Sequence, residues 1–502
     1  LLKEKVETGD EMNILTLNPP FHPKYSRGQR SPAVIKSGTV YYPIWLSYAT
    51  GVLEQNGFNV KLVDAPAAGH DLGYVLDLVD QFQPRLVVMD TSTPSVYNDV
   101  EMAQAIKARA PGVFVVLVGP HVTALPEETL KIGPAVDAVA RSEYDHTIRD
   151  LALAIQSGAD WDSVLGLTFR VAGASGEVVS NPDRPFIANL DELPFVSKVY
   201  KRHLDVRDYF YSITQYPEVT LITGRGCPYK CVYCVWPQTL SGHGYRRRSV
   251  ANVADEFEFI KHELPQVKEV FLEDDTLTVH QRRAVALGEE LAQRGVNLPF
   301  TANSRADVSY ETLYWLKQGG LRLLCVGFES GDQAVLDAMK KQAKIEQFFQ
   351  FRQDASRAGV LIHGCFMAGT PGETKETLAK TLRLAKELNP DTAQFFPIMV
   401  YPGTEAYEWA KRNDYLATQD FREWLTEDGL HKSVVNQPGL TAQELVEWCD
   451  RARREFYLRP SYIWSKIRQV ITQPREARRI LKSFRVFVKY LLRPPSKAET
   501  NV

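Results

Sequence analysis

Cys227, Cys231 and Cys234 stand within eight residues, in Gly224-Arg-Gly-Cys-Pro-Tyr-Lys-Cys-Val-Tyr-Cys. Three thiolates on one short loop can hold three corners of an iron-sulfur cube and leave the fourth iron open to a small molecule. Structural zinc wants four closed ligands instead. The candidates for a fourth, His243, Cys325, Cys365 and Cys449, stand at none of the usual zinc spacings. A disulfide framework is also disfavoured, because the chain has six cysteines in 502 residues and no visible secretory signal. The expectation is an open-iron 4Fe-4S cluster in a reducing, cytoplasmic setting.

Such a loop needs elements to carry it. Downstream, apolar runs end repeatedly in polar residues: Val270-Phe-Leu before Glu273-Asp-Asp-Thr, Phe300-Thr-Ala-Asn-Ser before Arg305, and Leu323-Leu-Cys-Val-Gly-Phe before Glu329-Ser-Gly. Ile362 to Glu373 and Gln394 to Thr404 supply two more. Helical patterns such as 280–294 and 374–388 lie between them, so the unit is a repeated strand and helix and the sheet should be parallel. Sheets of that kind bind ligands at their strand ends.

The cysteine loop with these strand ends, roughly residues 215 to 410, resembles the radical S-adenosylmethionine (SAM) superfamily, in which the amino and carboxylate groups of SAM chelate the open iron. The resemblance implies a partial (β/α)6 barrel over 213–415, with Cys227, Cys231 and Cys234 as cluster ligands. Within it, Asp274 and Asp275 are acceptors for the SAM ammonium, and Arg305 can bond its carboxylate bidentately. Glu329 and Ser330 suit the ribose hydroxyls, while Gly327 and Gly331 permit close backbone approach. In the family the aromatic before the third cysteine, here Tyr233, and the strand carrying Gly364 to Gly369 lie against adenine. A flavodoxin or ferredoxin is the expected electron donor. The resulting 5'-deoxyadenosyl radical takes hydrogen from an unactivated carbon of an organic or lipid-linked substrate, in a site that must be dry and closed.

Residues 12–150 have a strand-helix rhythm of their own, with apolar runs beginning at Asn13, Val60, Leu86, Val113 and Val136. Helical stretches separate the five runs, which gives a doubly wound, Rossmann-like sheet. Its strand ends carry Asn18-Pro-Pro, Asp64-Ala-Pro, Thr91-Ser-Thr-Pro, Gly119-Pro-His121 and Ser142-Glu143-Tyr, small or polar residues that suit a large flat ligand. Neither a Gly-x-Gly-x-x-Gly after the first strand nor a Walker lysine occurs, so a dinucleotide or ATP site is unsupported. This block resembles the cobalamin-binding domain that precedes the radical SAM core in one large subclass. The resemblance implies cobalamin contacts from Thr91, Ser92, Thr93, Gly119, His121 and Glu143. The Asp-x-His-x-x-Gly motif that gives cobalt a histidine in many cobalamin proteins is absent, and His70 follows Asp64 at the wrong spacing. The lower face of the cobalt is left open, and a domain that kept its fold but lost cobalamin is the alternative.

Residues 151–212 read as a linker with short hairpins, and 416–502 as a helical, basic extension. The net charge of -2 points to no partner, but from Arg451 to Lys497 fourteen basic residues stand against two acidic ones. Ile480, Leu481, Phe484, Phe487, Val488 and Leu491 share one helical face there. Either a peripheral contact with an anionic membrane or a closing helix packed on the protein would use that face. The chain has no apolar run of about twenty residues and no recognised nucleic-acid module. It is therefore expected neither to span a membrane nor to bind nucleic acid.

Asp64-Ala-Pro-Ala, Pro194-Phe-Val-Ser-Lys-Val-Tyr-Lys-Arg, Trp236-Pro-Gln-Thr and Phe456-Tyr-Leu-Arg-Pro are similar to the hopanoid-biosynthesis radical SAM subfamily. That similarity implies contraction of an amino-sugar ring on a hopanoid lipid head group to a cyclitol ether. Neighbouring subfamilies with the same domains methylate unactivated carbons or form the fifth ring of bacteriochlorophyll. A cobalamin or iron-sulfur sensor without turnover is the non-enzymatic alternative, and the open iron argues against it.

Overall fold

The computed structural model describes residues 12–171, 177–472, 476, 477 and 479–481. Seven strands form the first sheet: β1 (Asn13–Asn18), β2 (Asn59–Asp64), β3 (Leu86–Asp90), β4 (Phe114–Val118), β5 (Ala138–Ala140), β6 (Leu167–Arg170) and β7 (Val178–Ser180). Their order is β2-β1-β3-β4-β5-β6-β7, parallel through β5, with β6 and β7 added antiparallel. Leu-Val-Val-Met-Asp in β3 and Phe-Val-Val-Leu-Val in β4 are apolar on both faces, as parallel strands covered by helices on each side must be.

Strand order reverses between β1 and β3, so the loops leaving those two strands part and open a crevice at the carboxyl edge. Arg27 braces its wall. The guanidinium is fully buried, donates to Asn18 Oδ1 at 2.8 Å and Ser95 Oγ at 3.1 Å, and pairs with Asp99 at 2.7 Å. It thereby locks the loop after β1 to the one after β3.

The second sheet begins at β8 (Glu218–Leu221), after which a short antiparallel pair, β9 (Gly224–Arg225) and β10 (Arg246–Arg247), flanks the cysteine loop. β11 (Glu269–Leu272), β12 (Phe300–Ser304), β13 (Leu321–Glu329), β14 (Leu361–Ala368) and β15 (Thr392–Pro397) follow. With β8 they make six parallel strands in sequential order, β15-β14-β13-β12-β11-β8. Helices between successive strands make this the partial (β/α)6 barrel of the sequence reading. Local chemistry fixes the helix starts: Ser249, Ser309 and Thr374 each accept a backbone N–H three residues on, and Thr441 forms a capping box with Glu444.

The two sheets share a core. The helix Ile44–Gln55, buried from Ile44 to Leu53, packs on the helices Asp145–Ser157 and Val196–His203. Gly51 permits that approach, since a Cβ there would lie 2.5 Å from Pro194 Cγ. Tyr42 stacks on Tyr209 at 3.7 Å and donates its hydroxyl to the Glu218 carbonyl of β8 at 2.8 Å.

Two arginines cross between the sheets in opposite directions. Arg225, on β9, reaches Glu143 and Asp145 of the first domain at 2.7 Å each, with all three side chains almost wholly buried. Its guanidinium also lies over Trp45 and Tyr48. In return Arg30, from the loop after β1, pairs with Glu273 and Asp275 at the end of β11 and lies 4.0 Å over the Trp236 ring.

At the other end of the barrel, Arg322 bonds Glu269 at 2.9 Å and Glu476 at 3.1 Å, so the C-terminal segment closes that end. The helix Pro460–Thr472 leaves Ile463, Trp464, Ile467 and Ile471 exposed. Most of the amphipathic face read in the basic tail lies outside the described residues. Among the described residues no helix is long and apolar enough to cross a membrane.

Arg225→Met leaves Asp145 buried without its cation, a loss expected to lower stability by about 3–5 kcal/mol. The first unfolding transition in urea should move to lower concentration by that free energy divided by the m-value, a shift of about 1 M or more, and an unchanged midpoint would show that Arg225 does not clamp the domains.

Candidate functional site

The cysteine loop is pinned by its own backbone. Gly226 (φ +87°) has no room for a Cβ, which would lie 2.3 Å from the Gly244 carbonyl oxygen. The Cys227 amide donates to the Gly242 carbonyl at 3.2 Å, and His243 Nδ1 sits 2.9 Å from the Cys227 carbonyl. Gln238 Nε2 lies within 2.9–3.3 Å of the carbonyl oxygens of Cys231, Val232 and Cys234. One amide thus gathers the second half of the loop.

Cys227 is buried, and Cys231 and Cys234 are half-buried. Burial, with Asp275 adding, pushes the Cys227 thiol up to about 11 and raises Cys234 as well, where the Arg30 guanidinium works against it. Such thiols give up their protons to a metal rather than to water. A single bound ion would need three ligand atoms close together. Among the described residues three such atoms lie within 4.8 Å of one another at Cys325, His363 and Cys365, and not at the triplet. Three thiols gathered on one loop suit three corners of a multi-iron cube.

Several expected SAM contacts gather at this loop. Tyr233 donates its hydroxyl to Glu329 Oε1 at 3.0 Å, and Lys341 Nζ reaches the same oxygen at 3.0 Å. The other oxygen, Glu329 Oε2, is buried with no hydrogen-bond partner. Glu329 adopts φ +64° where β13 slips register against β14, so strained backbone aims an unsatisfied carboxylate oxygen. That is a fit for a sugar hydroxyl. Asp275 bonds Arg30 at 3.2 Å and Ser241 at 3.0 Å beside Cys227 and Cys234.

Other residues are engaged elsewhere. Both oxygens of Asp274 accept from Thr223, at 2.6 Å from its amide and 2.7 Å from its hydroxyl, so Asp274 ties β11 to the chain leaving β8. Arg305 donates to the carbonyls of Lys341 and Gln342 at 2.9 and 2.8 Å and to Asp307 at 3.1 Å. Its guanidinium lies 3.7 Å over Tyr229, inside the cysteine loop, which makes it a brace for that loop. Ser330 faces Thr381 at 3.3 Å. Gly369 (φ +89°) donates its amide to Glu373 at 2.7 Å, beneath Leu445.

On the first sheet, Thr91, Ser92, Thr93, Gly119 and His121 come together at the crevice. Thr93 Oγ1 is 3.1 Å from His121 Nδ1, and Ser92 bonds Tyr25 at 2.8 Å. Burial alone pushes His121 down to about 3, so the imidazole is neutral. Gly119 (φ +119°) passes so close to Thr91 that a Cβ would lie 2.4 Å from its carbonyl oxygen. Glu143 stands apart: Arg225 takes one oxygen, and Arg246 with the Ile187 amide takes the other, each at 2.7 Å. His70 stacks on Tyr74 at 3.6 Å.

From His121 a continuous layer runs through Phe421, Trp424 and Tyr401 to Ser31 and His431. Trp424 Nε1 and His431 Nδ1 within it, and Thr91 Oγ1 at the end of β3, are buried with no hydrogen-bond partner. Orphaned polar atoms along one crevice are what a large, polar, many-armed ligand would satisfy, so the residues fit cobalamin. The helix Pro120–Ala124, which follows Gly119, packs on the helix Val235–Thr239, which follows Cys234. Crevice and cysteine loop are therefore neighbours.

Arg30, Lys341 and Gln238 were not singled out from the sequence. Arg30 meets Glu273 across 243 positions of chain, which no local pattern reports. Lys341 and Lys340 form an ordinary basic pair until folding sends one inward to Glu329 and the other outward to Glu405.

The radical SAM superfamily model matches residues 221–385, and the B12 binding domain model matches residues 30–152. The chain is 31% identical over 453 residues to an uncharacterized methyltransferase of Pyrococcus horikoshii, covering 90% of this chain and 94% of that protein. It is 26% identical to the anaerobic magnesium-protoporphyrin IX monomethyl ester cyclase of Rubrivivax gelatinosus, over 88% of this chain and 78% of the cyclase. The fold is similar to that of the radical SAM methyltransferase TsrM from Kitasatospora setae, with a TM-score of 0.66, 18% identity, and coverage of 88% of this chain and 91% of that one.

Gln238→Ala frees the carbonyls of the loop without touching a thiol. Reconstituted protein should keep its iron at first and lose it several-fold faster than wild type on exposure to a chelator; equal loss rates would remove Gln238 from the support of the loop.

Proposed function

Because the chain belongs to the radical SAM superfamily, in the group that carries a B12-binding domain, we propose that it transfers a methyl group to an unactivated carbon of an organic substrate. It is a cobalamin-dependent radical SAM enzyme, and its cofactors are a 4Fe-4S cluster, SAM and cobalamin. The observation that carries the methyl-transfer reading is the joining of the two ligand edges: the crevice loops of the first sheet and the cysteine loop abut through paired helices and two crossed arginines. The Pyrococcus relative, named a methyltransferase, supports the same reading.

Cys227, Cys231 and Cys234 hold the cluster, and Glu329 Oε2 accepts from a ribose hydroxyl of SAM while Tyr233 and Lys341 hold the carboxylate still. Asp275, whose charge acts on Cys227 and Cys234, is the acceptor for the SAM ammonium. Thr91, Ser92, Thr93, Gly119 and His121 line the cobalamin crevice, with Trp424 and His431 on its far wall. When bound, the cluster and SAM supply an electron and a carbon radical, and cobalamin supplies a methyl carrier. The protein's part is to keep water out. Tyr41, Tyr211, Phe271 and Leu323 form an apolar packing group in the barrel that does so from one end.

A second reading has its own support. The exposed stripe Ile463, Trp464, Ile467 and Ile471 on a chain segment rich in arginine and lysine suits a peripheral membrane contact, and with it a lipid-linked substrate such as a hopanoid head group. The cyclase relative supports ring chemistry on the same two domains. These readings differ from methyl transfer in the fate of the substrate carbon.

With SAM and a flavodoxin or chemical reductant, the holoenzyme should form 5'-deoxyadenosine, and Cys231→Ala should abolish it. SAM labelled with deuterium in its methyl group separates the readings: label in the product of a cell-extract incubation supports methyl transfer, and an unlabelled rearranged product overturns it. For the membrane contact, Trp464→Glu with Ile467→Glu should reduce flotation with anionic liposomes, and undiminished flotation would remove that surface from the account.

A further inference from the structure

We propose that Cys325, His363 and Cys365 form a second metal site, for a zinc-type divalent cation, inside the barrel and separate from the cysteine triplet. The three side chains come from two adjacent strands. Cys325 of β13 pairs in register with His363 of β14, and Gly327 pairs with Cys365. On β13 the neighbours Leu324, Val326 and Phe328 are fully buried, whereas Cys325 and Gly327 between them are partly exposed. On a strand such alternation separates two faces, and the partly exposed face here is the lumen. Cys365 is partly exposed in the same way between buried Gly364 and Phe366.

Distances favour a metal over the other fates of two neighbouring thiols. Potential ligand atoms of all three residues lie within 4.8 Å of one another, and the sulfurs are 3.6 Å apart. Two thiolates at about 2.3 Å from a tetrahedral zinc ion are separated by roughly 3.8 Å. A disulfide would require closure to about 2.05 Å. The His363 ring is held in place: its Nδ1 is 2.7 Å from Thr392 Oγ1 of β15, and Gln394 of the same strand also bonds the imidazole, a contact that a metal on that ring would have to share or displace.

Two thiolates and one imidazole leave the fourth position of a tetrahedron open, the pattern of a catalytic or substrate-binding site and not of a closed structural one. The lumen around it is chemically divided. Towards one end lie the apolar Leu323, Phe271 and Tyr211. On the other side of Gly327 stand Glu329 and Lys341, whose atoms a Cβ on Gly327 would meet at 2.1 and 2.8 Å. Gly327, paired with Cys365, thus separates the proposed ligands from the Glu329 carboxylate, and an oxygen, nitrogen or sulfur donor of a substrate would complete the tetrahedron. Soft thiolates select zinc over magnesium or calcium. The proposed site uses no cluster ligand and no residue of the first-sheet crevice, but Cys365 lies on the Gly364–Gly369 strand expected against adenine, so the test reads zinc and not turnover.

Zinc content and zinc-edge X-ray absorption of anaerobically purified, cluster-loaded protein test the site, because iron in the triplet then keeps zinc out of it. One zinc per chain after dialysis against a weak chelator is expected, with two sulfur neighbours at about 2.3 Å and a nitrogen at about 2.0–2.1 Å. Cys365→Ser and His363→Ala should each lower zinc affinity tenfold or more while the iron content, which reports that the variant folds, is unchanged. Absence of zinc from the wild type, zinc held equally by both variants, or a Cys325 to Cys365 disulfide found by mass spectrometry would each overturn the proposal. If neither variant folds, the wild-type absorption spectrum decides it alone.

Discussion

The arrangement depends on two ion clusters that join the sheets, one fully buried around Arg225 and one half-buried around Arg30. Arg225 lies two residues before Cys227 and is held by Glu143 and Asp145 of the first domain, while Arg30 of the first domain is held by Glu273 and Asp275 of the barrel. A buried guanidinium cannot be left unpaired without a penalty of several kcal/mol (roughly 3–5 for loss of one partner). Each sheet therefore depends on the other to neutralise its charge. The contact fixes orientation as well as proximity, because both arginines flank the cysteine loop.

This constraint explains why some carboxylates that look like ligand contacts do something else. Glu143 sits at the strand end where a cofactor contact is expected, but Arg225 and Arg246 take both its oxygens. Asp274 spends its oxygens on Thr223. Glu329 differs in having one oxygen spent and one unsatisfied. Of the carboxylates named here, Glu329 alone combines deep burial, backbone strain and a free acceptor, which is how a binding group differs from a structural one.

Much of this was legible in the chain. A run such as Phe-Val-Val-Leu-Val, short and rich in β-branched residues, reads as a strand buried on both faces, and three cysteines in eight residues read as one ligand loop. Local pattern carries such features. It does not carry Arg30 to Glu273, nor the brace of Arg305 on Tyr229, which exist only after the barrel closes. The Cys325, His363 and Cys365 group was invisible for a related reason. Zinc spacings are sought along one loop or helix, whereas these ligands meet across parallel strands whose register is set by the whole barrel.

The central claim is that the two clamped edges make one site, with the cluster and cobalamin facing a shared space. Pulsed electron paramagnetic resonance on holoenzyme, with the cluster reduced and the cobalt in its paramagnetic state, measures their magnetic coupling directly. The account predicts a resolved dipolar coupling in the wild type that broadens or vanishes when Arg30 is replaced by alanine. Two independent, uncoupled signals in a fully loaded wild-type sample would contradict it.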